Sequence, residues 1–293
     1  MRSVRETTSE RDEPRAPERQ PFVGPVDMRI LRRSCAVLGG IGKHYFRNEM
    51  RGFERIPREQ SLLVANHDGG VLPINGLLFG AAWHPHFDYS RALYVLTHDL
   101  FQNMGRRFGK LMLDSGIIPA DRGHMNAAIA TGASVLVFPG AARETFRPFW
   151  ERAKIDLGGR TGFIAQAIRH GLPVTPVISA GSHETLVVLA KGDKFARAIG
   201  LPKLVRSADI WPVLLGLPWG VWALPFLPQL PLPAKITVEV LDTIRLDDVA
   251  GRRLTPADAN DKTIVDSLFR HVLGVMQEGV TRLYAERRYP FIG

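Results

Sequence analysis

An α/β fold, a single domain with a mixed, largely parallel sheet flanked by helices, is the class the sequence predicts, on three observations. Short apolar runs of strand length alternate along the chain with segments of helical periodicity. Two of these runs break directly into charged, glycine-containing turns, where open α/β sheets carry their sites. The 293 residues suffice for one large core and do not require two.

Residues 1–24 read as a disordered tail, because 1–20 mix arginines with acids and lack the apolar stretch of a signal peptide or membrane anchor. The domain then spans 25–293. Over 28–47, Ile30, Leu31 and Val37 alternate with Arg29, Arg32 and Arg33, the pattern of an amphipathic helix with a basic face. Such a helix either lies in a membrane interface or packs on the domain surface. Strands are expected at 61–65, 92–96, 117–119, 133–138, 174–179 and 235–240, and helices at 72–82, 102–113, 125–131, 161–170 and 194–199. In the last segment, 262–287, Ile264, Leu268, Val272, Val275 and Leu283 recur at the spacing of a packed helix.

The stretch 210–234 carries no charge and six prolines, at 212, 218, 225, 228, 231 and 233. Each proline removes a backbone N–H, so a continuous membrane-spanning helix is excluded there. Trp211, Trp219, Trp222 and Phe226 suit a membrane interface, and the stretch reads as a membrane-facing segment or as a buried roof over the site.

The chemistry centres on Asn66-His67-Asp68-Gly69-Gly70, directly after the apolar run 61–65. A strand that ends by delivering a histidine, an adjacent carboxylate and two glycines into a tight turn presents a general base and lets a ligand approach the backbone. The run 133–138 breaks likewise into Pro139-Gly140-Ala141-Ala142-Arg143-Glu144. His84-Pro85-His86 reads as an exposed loop rather than a metal site, since a proline separates the histidines and a third ligand is missing. His98-Asp99 is the pair a metal-dependent hydrolase would use, and it defines an alternative function.

Taken together, four blocks in order resemble those of the glycerolipid and lysophospholipid acyltransferase superfamily. They are Asn66-His67, the run from Gly116 to Arg122, Phe138-Pro139-Gly140 with Glu144, and Gly171-Leu172-Pro173-Val174-Thr175-Pro176-Val177. The third block is closest to the monoacylglycerol and diacylglycerol acyltransferase branch. The resemblance implies that His67 is the general base of an O-acyltransferase moving a fatty acyl group from acyl-CoA or acyl carrier protein to a glycerolipid or lysophospholipid hydroxyl, without a covalent acyl-enzyme. The absence of a Gly-x-Ser-x-Gly elbow agrees. The superfamily's usual acid, five residues after the histidine, is here Leu72, and the branch's later acid position is Asn75. Asp68 is the nearest carboxylate and is assigned with His67 to catalysis, while Glu144, Glu184 and Asp99 are carboxylates that the fold brings within range of the imidazole in other arrangements.

Substrate contacts are expected from Asn66, Gly69, Gly70, Arg122, Gly140, Arg143 and Glu144, with Asn75, His183 and Glu184 behind them. No cofactor or metal is implied beyond the acyl thioester co-substrate. A catalytically weak lipid-binding relative is the other alternative, favoured by Leu72 and Asn75. Lys and Arg outnumber Asp and Glu by 38 to 29, which favours anionic partners: a phospholipid surface, the phosphates of coenzyme A or an acidic carrier protein. No nucleic-acid motif accompanies that charge. With a lipid acceptor, the expectation is peripheral, monotopic attachment at the cytoplasmic membrane face. Cys35 is the single cysteine, so an internal disulfide is excluded.

Overall fold

The structure, a computed structural model, describes residues 23–24, 26–70, 72–98, 105–192, 211–223, 229–289 and 291–292. The expected helix 194–199, Ile210, Phe226 and Asp99 lie outside them.

The chain opens with α1, Met28–His44, whose N-cap Asp27 accepts from the amides of Arg29 and Ile30. It continues through β1 (Glu49–Arg51), β2 (Leu62–Ala65), α2 (Ile74–His86), β3 (Leu93–Thr97), α3 (Arg106–Asp114), β4 (Ile117–Pro119), α4 (Arg122–Ala130), β5 (Ser134–Val137), α5 (Ala141–Thr145) and α6 (Gly162–His170). After β6 (Val174–Ala180) come β7 (Val187–Ala190), β8 (Val213–Gly216), β9 (Gly220–Trp222), β10 (Thr237–Val240), α7 (Leu246–Ala250) and α8 (Lys262–Ala285).

Seven strands form the main sheet in the order β1-β10-β6-β2-β5-β3-β4. β6, β2, β5, β3 and β4 run parallel, and β10 is antiparallel to β6. The sheet is therefore mixed and largely parallel, and helices cover both faces, as expected. Alternate residues divide between the faces, as the period of two requires. Leu62, Val64, Val135, Val137 and Ile178 pack under α4, α6 and α8, whereas Leu63, Leu136, Val95 and Val177 pack under α2 with Phe46 and Phe53. The central parallel strands β2, β3, β5 and β6 are buried along their whole length, which explains why they read as unbroken apolar runs.

Two expectations need correction. Residues 84–86 are not an exposed loop: α2 runs through Pro85, and His84 is buried, its pKa pushed down to about 4 by that burial. Aromatic contacts hold this last turn, with His86 on Phe53 at 4.9 Å and His84 stacked on Tyr89. The uncharged stretch after 210 is neither wholly surface nor wholly roof. β8 and β9 form a hairpin that pairs through β8 with β7. Its inner residues Leu214 and Trp222 pack with Val188, Leu186 and Phe146, and its outer residues Leu215, Trp219 and Val221 are exposed. Of the three tryptophans, Trp222 is thus core and Trp211 is half-buried.

Candidate active site

β6, β2 and β5 are adjacent and parallel, so their carboxyl ends open onto one edge of the sheet. Three turns meet there: 66–70 after β2, 138–140 after β5 and 181–185 after β6.

The turn after β2 is fixed by its own side chains. Asn66 is 1% exposed, and its amide clasps the backbone of Ser179 twice, accepting from the Ser179 N–H at 2.8 Å and donating to the Ser179 carbonyl at 3.1 Å. It extends the β2–β6 pairing by one residue and is not available to a substrate. Gly69 and Gly70 also serve packing: a Cβ on Gly69 would lie 2.6 Å from the His183 carbonyl, and Gly70 has φ +92°. The expectation that these three residues bind substrate is corrected accordingly. The Gly69 N–H donates to the Ser182 carbonyl and its own carbonyl accepts from the Thr185 hydroxyl, so the 182–185 turn is the floor of the catalytic turn.

His67 emerges from this frame with its side chain 18% exposed. Its Nδ1 lies 2.9 Å from Asp68 Oδ1, and its ring packs on Phe138 at 5.4 Å between centroids. The Asp68 carboxylate is fully buried, and its second oxygen accepts from the Asn75 N–H at 3.1 Å. Nδ1 also lies 3.3 Å from the Asp68 backbone carbonyl, its hydrogen-bond partner, so with the proton on Nδ1, facing the carbonyl and the carboxylate, Nε2 is the basic nitrogen. Burial lowers the imidazole pKa, but the hydrogen bond and charge of Asp68 and the charge of Glu144 outweigh it and leave it above the ordinary value. A base must be unprotonated to act, so the rate should rise with pH through this raised value.

Asp68 is therefore the acid at the imidazole. Glu184 is buried and committed elsewhere, with Oε1 3.1 Å from Arg152 and Oε2 2.6 Å from Arg287 and 2.8 Å from the Phe291 N–H. Asn75 does not touch the ring. Its amide donates to Ser179 Oγ at 2.7 Å and Ser182 Oγ at 3.0 Å, which ties α2 to the turn after β6. A carboxylate in its place would lack those donors while still facing the Asn66 carbonyl, so Asn75→Asp is expected to lower stability by about 1–3 kcal/mol in a urea melt without raising the rate.

The turn after β5 carries Gly140 and, at Ala141, a left-handed φ of +45° that is strained for alanine. Arg160 steadies it by donating to the carbonyls of Pro139 and Gly140. Glu144 is fully buried beside Arg147 at 3.3 Å and does not reach the surface, so its expected contact with substrate is corrected too. Burial raises its pKa, partly offset by Arg147 and His67. His183, also buried, is held neutral by burial, with its Nε2–H on the Arg147 carbonyl at 2.8 Å. Arg143 is exposed, 3.8 Å from Asp156. Arg122 is exposed at the start of α4, behind a strand three places from β2, roughly 14 Å away at the usual strand spacing. Sequence reasoning missed Ser179, Ser182 and Arg147. A serine in a strand and an arginine three residues after Glu144 carry no signal of their own.

A parallel sheet whose central strand ends in a buried-acid histidine dyad, with a glycine turn alongside, defines a class. Residues 47–180, a little under half of the chain, match the family model described as Acyltransferase. Uncharacterized proteins of Mycobacterium tuberculosis and Mycobacterium bovis are each 30% identical over 251 residues, 86% of this chain and 65% of theirs. One of Mycobacterium leprae is 28% identical over a stretch of the same length. The chain thus spans about two thirds of the length of these relatives, a little under that mark at 65%. The crystal structure of the 1-acyl-sn-glycerophosphate (LPA) acyltransferase PlsC from Thermotoga maritima shares the fold, with a TM-score of 0.50, 16% identity and 89% of each chain covered.

Proposed function

We propose that the protein is an O-acyltransferase that moves a fatty acyl group from acyl-CoA or acyl carrier protein to a glycerolipid or lysophospholipid hydroxyl. The observation that carries this reading is the 2.9 Å His67–Asp68 contact within the matched segment. His67 Nε2 takes the hydroxyl proton, the alkoxide attacks the thioester carbonyl, and collapse of the tetrahedral intermediate releases the thiolate. Asp68 stabilises the imidazolium formed on the way. Arg143, and Arg122 further along the edge, are the cations available to a phosphate of donor or acceptor. The Phe138-Pro139-Gly140 turn favours the monoacylglycerol and diacylglycerol branch. Asp68 weighs against a catalytically weak relative, since it supplies next to the base the charge missing at Leu72 and Asn75. Nothing specific favours a hydrolase built on His98. Purified protein, given labelled acyl-CoA or acyl carrier protein with lysophospholipids, monoacylglycerol and diacylglycerol, should acylate one of these acceptors, and no transfer to any would refute the reading.

The membrane belongs to the same proposal. Among the described residues no helix is long and apolar enough to cross a bilayer. Leu217, Trp219 and Val221 on the hairpin, Leu230 bridged to Leu217, and Tyr45, whose hydroxyl donates to the Pro231 carbonyl, are exposed on connected segments. Val37 and Ile41 on α1 continue the apolar exposure, with Arg29, Arg32 and Arg33 exposed on the same helix. This combination suits monotopic attachment to an anionic, cytoplasmic leaflet. In vesicle sedimentation with anionic lipid, a Leu217→Ser, Trp219→Ser, Val221→Ser variant should bind at least about tenfold more weakly, about 1.4 kcal/mol, and salt should weaken the remainder. Equal binding of variant and wild type would remove the hairpin from the interface.

A further inference from the structure

We propose that Glu144 is a positioning residue acting through His67: a second buried counter-charge that, held by Arg147, stabilises the imidazolium without touching the acceptor. This rests on His67 being the base.

The side chain is fully buried, and among the described residues neither carboxylate oxygen has a well-formed hydrogen bond. A buried carboxylate so poorly satisfied costs several kcal/mol unless charges around it compensate. One compensation is Arg147, 1% exposed with Nη1 3.3 Å from Oε1. The other is His67, whose ring packs on Phe138, two residues before the Gly140 turn that lies against the carboxylate, and on which the charge of Glu144 acts. The packing makes room for this arrangement: a Cβ on Gly140 would lie 2.1 Å from Glu144 Oε2, so the turn beside Phe138 has to be glycine for the carboxylate to lie beneath it.

The surrounding groups are few. His67, with Asp68 beside it, faces Glu144 from the turn after β2, Arg147 from its own segment and the Asp156 backbone from the loop before α6, while His183 lies against Arg147. His183 is held neutral by burial and its hydrogen bond to the Arg147 carbonyl. With His67 neutral, Asp68 and Glu144 against Arg147 leave one net negative charge. When His67 takes the proton from the acceptor, that charge is cancelled. The buried cluster is therefore complementary to the state in which the base is protonated, which is the state nearest the transition state.

The test is an NMR titration of the His67 imidazole without substrates, in wild type, Glu144→Gln and Glu144→Asp. Loss of the charge should lower the His67 midpoint by about one pH unit, and Glu144→Asp should keep it near wild type. A midpoint unchanged in Glu144→Gln overturns the proposal, as does a Glu144 carboxyl signal that stays protonated from about pH 5 to 9. In acyl transfer, Glu144→Gln should move the acid limb to lower pH and lower the plateau about three- to tenfold, with the acceptor KM unchanged. A raised KM at unchanged kcat would instead make Glu144 an acceptor ligand. If Glu144→Gln does not fold, the wild-type Glu144 carboxyl resonance decides, because it should follow the His67 titration and lose that step in His67→Gln. Since the midpoint is read without turnover, a shifted midpoint in a protein that transfers no acyl group would defeat the proposed function and not this proposal.

Discussion

His67→Gln is expected to lower acyl transfer by about 10²- to 10⁴-fold while the protein melts within a few degrees of wild type. The loss follows from the position of the ring: Nε2 stands at the carboxyl end of β2, and the carboxylates nearby, Asp68 and Glu144, are fully buried. Fold retention follows from the side chain's exposure and from the fact that Asn66, Gly69 and Asn75, not the imidazole, make the bonds that shape the turn. Turnover within about threefold of wild type would mean that the hydroxyl proton leaves by another route.

Asp68→Asn should be nearly as damaging, again about 10²- to 10⁴-fold, through the tautomer of the base. The carboxylate accepts from the Asn75 N–H at Oδ2 and faces His67 Nδ1 with Oδ1 at 2.9 Å. An amide has one acceptor oxygen. If that oxygen stays with Asn75, the NH2 group meets Nδ1, which must then be unprotonated, so the proton moves to Nε2 and the base is lost. The expected result is a fall in kcat with little change in acceptor KM, together with a His67 midpoint displaced downward. An unchanged kcat would reduce Asp68 to a structural link between the turn and α2.

How far the sequence anticipated this site depended on how local each signal was. β2, β5 and β6 were legible because parallel strands buried on both faces read as apolar runs, and His67 because it directly follows one. β1 and β7 to β9 were not, since strands of three or four residues, half-exposed or bounded by proline and glycine, are too short to show a period. The pairing of His67 with its own neighbour was only a possibility in sequence, because adjacent side chains diverge on a strand. It becomes a 2.9 Å contact after the chain leaves β2 and turns under the Asn75 N–H. Glu144 looked like a residue of a charged turn because the burial of both Glu144 and Arg147 comes from packing that no local window contains.

Glu184 gives this architecture a mechanical coupling. One buried carboxylate gathers Arg152, Arg287 and the Phe291 amide, while the Phe291 carbonyl accepts from Arg47 and from the Lys235 amide. The same four-residue turn supports Gly69 from below. Arg47 and Phe291, far apart in sequence, are therefore tied to the catalytic turn through one buried carboxylate: freeing Arg287 or the Phe291 amide strands that charge under the site, so local fraying there is costly. In the proposed reaction, the room an acceptor needs is left to the hairpin side, where the contacts of Leu214 and Trp222 are apolar.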